Sequence, residues 1–245
     1  MKATITPAIL LSALATPAFA ITIASQDFEG NTLADIITQD TDLGTAAGTF
    51  FDSSSGLGWS VSITNNANGS NGPISGTENG DLIGVVNNSV TSSNDLTDAG
   101  NTTNWFHADD VDGLLLLTFD PIDATNYTDL TLTFDWAAND ATGFELADTF
   151  AVQVNGIEQF SVSGDDLEST ISDTKAFTDN FAPVSLDLSA FNQSEINIVV
   201  SFSNNAGDED LAFDNLQLTG NLIPTPAAFT AGLLGLGTLL LRRSH

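Results

Sequence analysis

The chain has 245 residues, of which 32 are acidic, four are basic and none is cysteine. A protein this acidic repels nucleic acid phosphates and anionic lipid headgroups, which excludes both as partners and favours cations. Because there is no cysteine, the fold has neither disulfide bonds nor a thiol nucleophile.

The first twenty residues are typical of a secretory signal peptide. Met1 and Lys2 give a charged start, residues 9–15 are apolar, and Ala18-Phe19-Ala20 supplies the small residues of a cleavage site. The apolar stretch is shorter than the about 20 residues that a stable membrane-spanning helix needs. We therefore predict export, with residues 1–20 removed and one domain over residues 21–220.

Apolar and polar residues alternate along much of this region, which is the pattern of half-buried strands. Asn155-Gly156 separates two such strands and predicts a hairpin with a type I′ turn. The apolar run 114–117 predicts a central strand buried on both faces. The predicted fold is all-β, a sandwich of two antiparallel sheets resembling a jelly roll. The clearest alternation lies at 59–63, 130–136, 150–154, 184–188 and 196–202.

The segment around residue 105 holds candidate ligand-binding residues. Trp105 and Phe106 stand beside the acidic segment 107–113, where a polar loop would expose their rings for stacking on sugars. His107 is the one histidine of the predicted domain, and a surface or loop position is expected for it. No nucleophile elbow accompanies it, so a Ser-His-Asp triad is not predicted. The acidic clusters 107–113 and 208–210 are candidate cation sites without EF-hand spacing.

The predicted last strand changes parity in its middle. Leu211 and Phe213 share one face, whereas Leu216 and Leu218 would share the other. One extra residue at Asp214-Asn215 restores a common face, so the pattern predicts a β-bulge at that place.

Asp27-Phe28-Glu29-Gly30 near the start of the domain and Phe213-Asp214-Asn215-Leu216 near its end resemble the paired end strands of jelly-roll carbohydrate-binding modules. The resemblance extends more loosely to MAM and laminin-G-like sandwiches. In the carbohydrate-binding modules, carboxylates at these two places hold a structural calcium ion. The resemblance therefore implies a calcium site at Glu29 and Asp214, with Asp27 as a further ligand, and carbonyls or water completing the shell.

The chain ends in a second exported-protein signal. Pro224-Thr225-Pro226 is followed by an uncharged run over residues 227–241 and then by Arg242-Arg243. Arginines just beyond an apolar segment remain on the cytoplasmic side of a membrane. Residues 221–245 are therefore predicted to form a short transmembrane helix, although a buried helix and a simple tail anchor remain alternatives.

This tail resembles the PEP-CTERM sorting signal of Gram-negative bacteria, with Thr225 in place of the usual glutamate. The resemblance implies an exosortase-type sorting enzyme as a partner and membrane attachment through the tail before processing.

Three functions remain open. The preferred one is a non-catalytic protein of the cell surface or extracellular matrix that binds calcium and extracellular polysaccharide. The second is a polysaccharide-active enzyme with paired carboxylates, which would need a cleft holding two carboxyl groups with displaced pKa values. The third is a purely structural component of a surface layer.

Overall fold

The protein is a sandwich of two antiparallel β-sheets, which confirms the predicted fold class. The computed structural model describes residues 19–29, 50–52, 56–65, 83–86, 103–109, 111, 113–138, 147–164, 181–204 and 209–223. Apart from strands, these residues contain a short 3-10 turn at Ser189–Phe191. None of the described residues belongs to a helix with the length and apolar character needed to cross a membrane. The signal peptide up to residue 18 and the sorting-tail residues Pro224, Thr225, Pro226, Arg242 and Arg243 lie outside the described residues.

Fourteen strands are described, and they are numbered here in chain order. They are β1 (Ile21–Gln26), β2 (Phe50–Asp52), β3 (Trp59–Asn65), β4 (Ile83–Val86), β5 (Trp105–Asp109), β6 (Gly113–Phe119), β7 (Ile122–Asp123), β8 (Tyr127–Ala138), β9 (Thr149–Val154), β10 (Ile157–Ser163), β11 (Ala182–Asp187), β12 (Glu195–Ile196), β13 (Ile198–Ser203) and β14 (Asp210–Leu222).

Sheet I has the strand order β11-β8-β14-β5-β4, and β1 also pairs with β14. Strand β14 is long enough to take two partners along one edge. The first part of β14 pairs with β5, and the last of these pairs joins Phe213 to Phe106 of β5. The second part pairs with β1, beginning where Leu216 lies opposite Gln26 of β1. The first and last strands of the domain are therefore neighbours.

Sheet II has the strand order β10-β9-β13-β6-β3-β2, and β7 and β12 form a separate two-stranded ribbon. The predicted hairpin is present between β9 and β10, where Asn155 and Gly156 have φ of 51° and 75°. Both values are positive, as a type I′ turn requires, and these two residue types adopt them readily.

Aromatic side chains from both sheets fill the space between them. Phe150 of sheet II stacks on Trp136 of sheet I at 5.4 Å between ring centroids and lies 6.3 Å from Phe213. Phe106 and Phe202 meet across the sheets in the same way at 5.5 Å. Trp136 and Trp59 belong to this core, as their places in the alternation predict.

The prediction for the apolar run 114–117 is wrong in one respect. It forms the inner strand β6, between β13 and β3, but only Leu115 and Leu117 are fully buried. Leu114 is 40% exposed and Leu116 is half-buried. Alternation therefore holds in β6, because the two sides of sheet II differ in their surroundings even where the sequence is uniformly apolar.

Candidate functional site

The predicted bulge in β14 is confirmed. Asp214 is opposite Asp135 of β8, but the next pair along the ladder is Gln217 with Thr133, so β14 holds one more residue than β8 between them. Asn215 has a φ of 53° there, a left-handed conformation that asparagine tolerates better than most residues. The bulge returns Leu216 and Leu218 to the core side of the sheet.

The bulge brings two carboxylates together on the outer side of sheet I. Asp214 and Asp135 are directly opposite each other on neighbouring strands. The backbone N–H of Asn215 donates to Asp214 Oδ1 at 2.7 Å, and the side-chain amide of Asn215 donates to Asp135 Oδ2 at 2.8 Å. Asn215 thus holds both acids, although like charges in opposite positions destabilise a sheet.

Asp214 is the buried member of this pair, with 2% of its surface exposed. Burial raises the pKa of Asp214 from its ordinary value of 3.8 to about 8, against the lowering effect of the Asn215 N–H. The charges of Asp135, Glu29 and Asp27 are smaller contributions to this raised value, in that order of effect. Three other carboxylates are therefore close enough to influence Asp214.

No lysine or arginine lies among the described residues, since the four basic residues are Lys2, Lys175, Arg242 and Arg243. The described part of the chain therefore balances Asp214 only by protonation or by an ion from solution. Within the same residues, no three histidine, aspartate or glutamate side chains already converge on a common metal position.

Glu29 belongs to a turn that closes one end of the sandwich. Its carboxylate accepts the backbone N–H of Asn104 at 2.8 Å, and the Asn104 side chain donates to Phe28 O at 3.3 Å. Phe28, with φ of 55°, is fully buried against Trp59 and Phe106. Glu29, a predicted metal ligand, thus accepts a hydrogen bond that connects two segments 75 residues apart in the sequence.

Asp27 precedes this turn and lines a shallow groove on the outer side of sheet I. The groove has a volume of about 350 Å³. Asp214 lies beneath it and not in its lining. The lining residues are Ser25, Asp27, Thr133, Phe134, Asp135, Asn215, Leu216 and Gln217.

The expectation of an exposed aromatic platform is wrong. Trp105 and Phe106 are fully buried and lie on strand β5, not in a loop. Phe106 points into the main core, whereas Trp105 packs on the opposite side of sheet I with its ring 5.9 Å from that of Phe181. Neither ring offers a face for stacking on a sugar in this arrangement.

His107 is also buried, contrary to the surface or loop position expected for it. Its Nε2 lies 3.0 Å from Asp210 Oδ1, and its Nδ1 lies 3.5 Å from the indole nitrogen of Trp105. Because an indole N–H can only donate, Nδ1 accepts and Nε2 carries the proton donated to Asp210. Both ring nitrogens are therefore engaged, and the described contacts leave neither for activating a serine.

No protein family matches the chain, and no curated protein sequence is similar to it. Among solved structures, it is similar to the apo form of a cyclase from Fischerella sp., with 15% identity, a TM-score of 0.42, and coverage of 84% of this chain and 98% of the other. It is also similar to TmCBM61 in complex with beta-1,4-galactotriose, at 14% identity and a TM-score of 0.37, covering 66% and 88%.

A third similar structure is the K1 cleaved adhesin domain of Lys-gingipain from Porphyromonas gingivalis W83, at 14% identity and a TM-score of 0.38, covering 83% of this chain and 99% of the other. With TM-scores this low, none of the three similarities carries an inference about what this chain does.

Proposed function

We propose that the protein is an exported, non-catalytic β-sandwich of the cell surface or extracellular matrix that is stabilised by calcium at Asp214 and contacts extracellular polysaccharide. The proposal of export and of sorting by an exosortase-type enzyme is supported by the signal-peptide pattern of residues 1–20 and by the tail from Pro224 to Arg243. The calcium part is supported by the geometry around Asp214.

The observation that carries the calcium proposal is the Asp214–Asp135 pair. Two carboxylates stand opposite each other, one of them buried, and the described residues supply no lysine or arginine beside them. A buried unpaired carboxylate is costly in free energy, and a second one nearby increases that cost. A divalent cation removes both penalties at once.

The donor chemistry fits calcium, which takes six to eight oxygen ligands from carboxylates, carbonyls and water. Asp214 and Asp135 are the side chains that would hold the ion, with carbonyls and water completing its shell. Asp27 and Asp135 line the groove above Asp214, where they are accessible from solution. The Glu29 carboxylate already accepts a hydrogen bond from the backbone of Asn104. Its effect on the site is therefore electrostatic, since its negative charge helps to raise the pKa of Asp214. Bound calcium would supply positive charge and no reactive group.

Thermal unfolding of the full chain tests this proposal. After metal stripping, the unfolding midpoint is measured with and without millimolar calcium, with magnesium as a control and the ionic strength held high and constant. We expect a calcium-specific rise that Asp214→Asn abolishes. The matched variant Asp187→Asn removes an exposed carboxylate from the same sheet and should keep the rise. An equal response to calcium and magnesium, or a full response in Asp214→Asn, would overturn the calcium site.

One observation favours a second candidate, a polysaccharide-active enzyme. A carboxyl group with a raised pKa beside a second carboxyl group is the arrangement that general acid catalysis uses in glycosidases. Against this, Asp214 lies under the groove and is 2% exposed, so a glycosidic oxygen could not reach it without rearrangement. Release of reducing ends from polysaccharide by the wild type, lost in Asp214→Asn, would favour the enzyme over the binding protein.

A further inference from the structure

Among the described residues, the outer side of sheet II is nearly free of charge, although the chain carries 32 acidic residues. Along β3, β6, β9, β10 and β13 the core residues alternate with outward-facing ones. We call the outward-facing set the neutral face. It consists of Ser60, Ser62, Leu114, Leu116, Thr118, Thr149, Ala151, Gln153, Glu158, Ser161, Ser163, Val199, Ser201 and Ser203, with Glu158 as its single carboxylate.

The strand register aligns these residues in rows across the sheet. One row runs from Ser161 through Ala151, Ser201 and Leu116 to Ser62. A second row runs in the same direction through Gln153, Val199 and Thr118. Across the five strands, hydroxyl-bearing side chains therefore alternate with the aliphatic side chains of Ala151, Leu116 and Val199.

A groove of about 280 Å³ is cut into this face where β9, β10 and β13 meet. Gln153 and Ser161 line it, together with Glu158, whose carboxylate accepts a hydrogen bond from the Ser161 hydroxyl at 2.7 Å. That contact fixes the carboxylate and leaves further acceptor positions on both groups. The rest of the lining is Thr149, Ala151, Val162, Ser163 and Ser201.

The size and composition of the neutral face argue against a second protein as its occupant. Five strands spaced about 4.8 Å apart, with three rows of side chains, cover on the order of 400 Å². A standard protein interface needs roughly 800 Å² from each partner. Such interfaces are also rich in aromatic residues and arginine and poor in serine, whereas the neutral face has six serines and no aromatic residue.

A neutral polysaccharide fits the same surface better. Its hydroxyl groups match the serine, threonine and glutamine side chains, and the C–H faces of its sugars match the aliphatic side chains of Leu116 and Val199 on the neighbouring strands β6 and β13. An acidic polysaccharide would be repelled by the net charge of the protein, whereas an uncharged one is not. Of the two outer sides in the described part of the chain, the neutral face is the one whose carboxylates interfere less with such a ligand.

We propose that the neutral face binds an uncharged polysaccharide chain, with Gln153 and Ser161 as its hydrogen-bonding anchors in the groove. This inference rests on the polysaccharide contact in the proposed function, and it names the surface and the ligand class. Binding depends on hydrogen bonds and not on ionic attraction, so it is insensitive to salt. It also does not require the carboxylates of sheet I.

Native affinity electrophoresis of the full chain tests the inference. The gels contain galactan, xylan or β-glucan as neutral probes, or polygalacturonate as an acidic one. We expect at least one neutral probe to retard the wild type, and the Gln153→Ala/Ser161→Ala variant to bind it on the order of tenfold more weakly, because two hydrogen-bonding groups are removed. Circular dichroism confirms that each variant is folded.

The matched control is Ser25→Ala/Gln217→Ala, which makes the same two substitutions in the groove of sheet I and should bind like the wild type. Retardation by no neutral probe, a loss in the control equal to that in Gln153→Ala/Ser161→Ala, or retardation by polygalacturonate alone would each overturn the inference. The calcium-dependent unfolding midpoint is a separate readout, so failure of the glycan site and failure of the calcium site are distinguishable.

Discussion

The outer sides of the two sheets share one core but differ in chemistry. Asp27, Asp135, Asp187, Asp210 and Asp214 lie on the outer side of sheet I, whereas the neutral face of sheet II has Glu158 alone. In both sheets, the outward-facing residues alternate along each strand with residues of the same aromatic and aliphatic core. The fold therefore constrains the inward positions and leaves the outward ones free to differ between the sheets. We expect mutations on the two outer sides to affect the proposed cation site and the proposed glycan site independently.

The largest effect is expected from a substitution that removes the shared interior and so affects both sides together. Phe150 contacts Trp136, Phe134 and Phe213 across the sandwich. Phe150→Ala should cost about 3–5 kcal/mol of unfolding free energy, through lost burial and the cavity left behind. Chemical denaturation measures this cost. A loss below about 1 kcal/mol would contradict the packing described here.

The next effect is specific to sheet I and depends on pH. Asp214 has a folded pKa of about 8 against an ordinary value of 3.8. Without metal, its contribution to stability is therefore complete below about pH 4 and is lost as the pH rises through about 8. One pKa unit corresponds to about 1.4 kcal/mol, so the loss is several kcal/mol, with roughly 6 kcal/mol as the upper limit.

Asp214→Asn removes this titrating group and should flatten the metal-free stability profile between pH 4 and 8, making the variant more stable than the wild type at pH 8. Urea unfolding at a series of pH values measures this difference. Asp187→Asn, the exposed control, should retain the wild-type slope. A wild-type slope in Asp214→Asn would contradict the assignment of the pH dependence to Asp214.

Asn215 offers a smaller, two-part test of the bulge. Asn215→Gly keeps the positive φ but removes the amide that holds Asp135, whereas Asn215→Ala removes both features. We expect Asn215→Ala to be less stable than Asn215→Gly by about 1 kcal/mol, since alanine disfavours the left-handed conformation. Both variants should weaken the calcium response. Equal stabilities would show that the backbone conformation contributes little.

The smallest effect on stability is expected from adding a charge to the neutral face. Ser201→Asp places a carboxylate in the middle row of sheet II and should change the unfolding free energy by no more than about 1 kcal/mol. It should nevertheless reduce retention by the neutral probe and leave the calcium response unchanged. Ser185→Asp, an exposed position on β11 of sheet I, is the control that should retain glycan binding. The opposite pattern would show that the two sides do not act separately.

Local sequence patterns predict much of this fold. Period-2 alternation indicates the strands, Asn155-Gly156 indicates the hairpin, and the parity change at Asp214-Asn215 indicates the bulge, because each of these features depends on neighbours along the chain. The burial of Trp105 and His107 is not predictable in this way. It depends on Phe181 and Asp210, which are distant in sequence and adjacent only in the folded sheet.

The candidate site shows the same division. Asp214, Asp27 and Glu29 are suggested by a resemblance in the end strands, but Asp135 is not, because its place opposite Asp214 follows from the register between β8 and β14. Likewise, the hydrogen bond from Asn104 to Glu29 has no local signal. The neutral face becomes visible only when five strands are aligned side by side.

The most direct test of the calcium site is isothermal titration of calcium into the metal-stripped full chain at high, constant ionic strength. We predict a saturable calcium-binding event that is absent in Asp214→Asn and retained in Asp187→Asn. Binding that is unchanged in Asp214→Asn, or no saturable binding in the wild type, would contradict the claim that the Asp214–Asp135 pair on sheet I holds a cation.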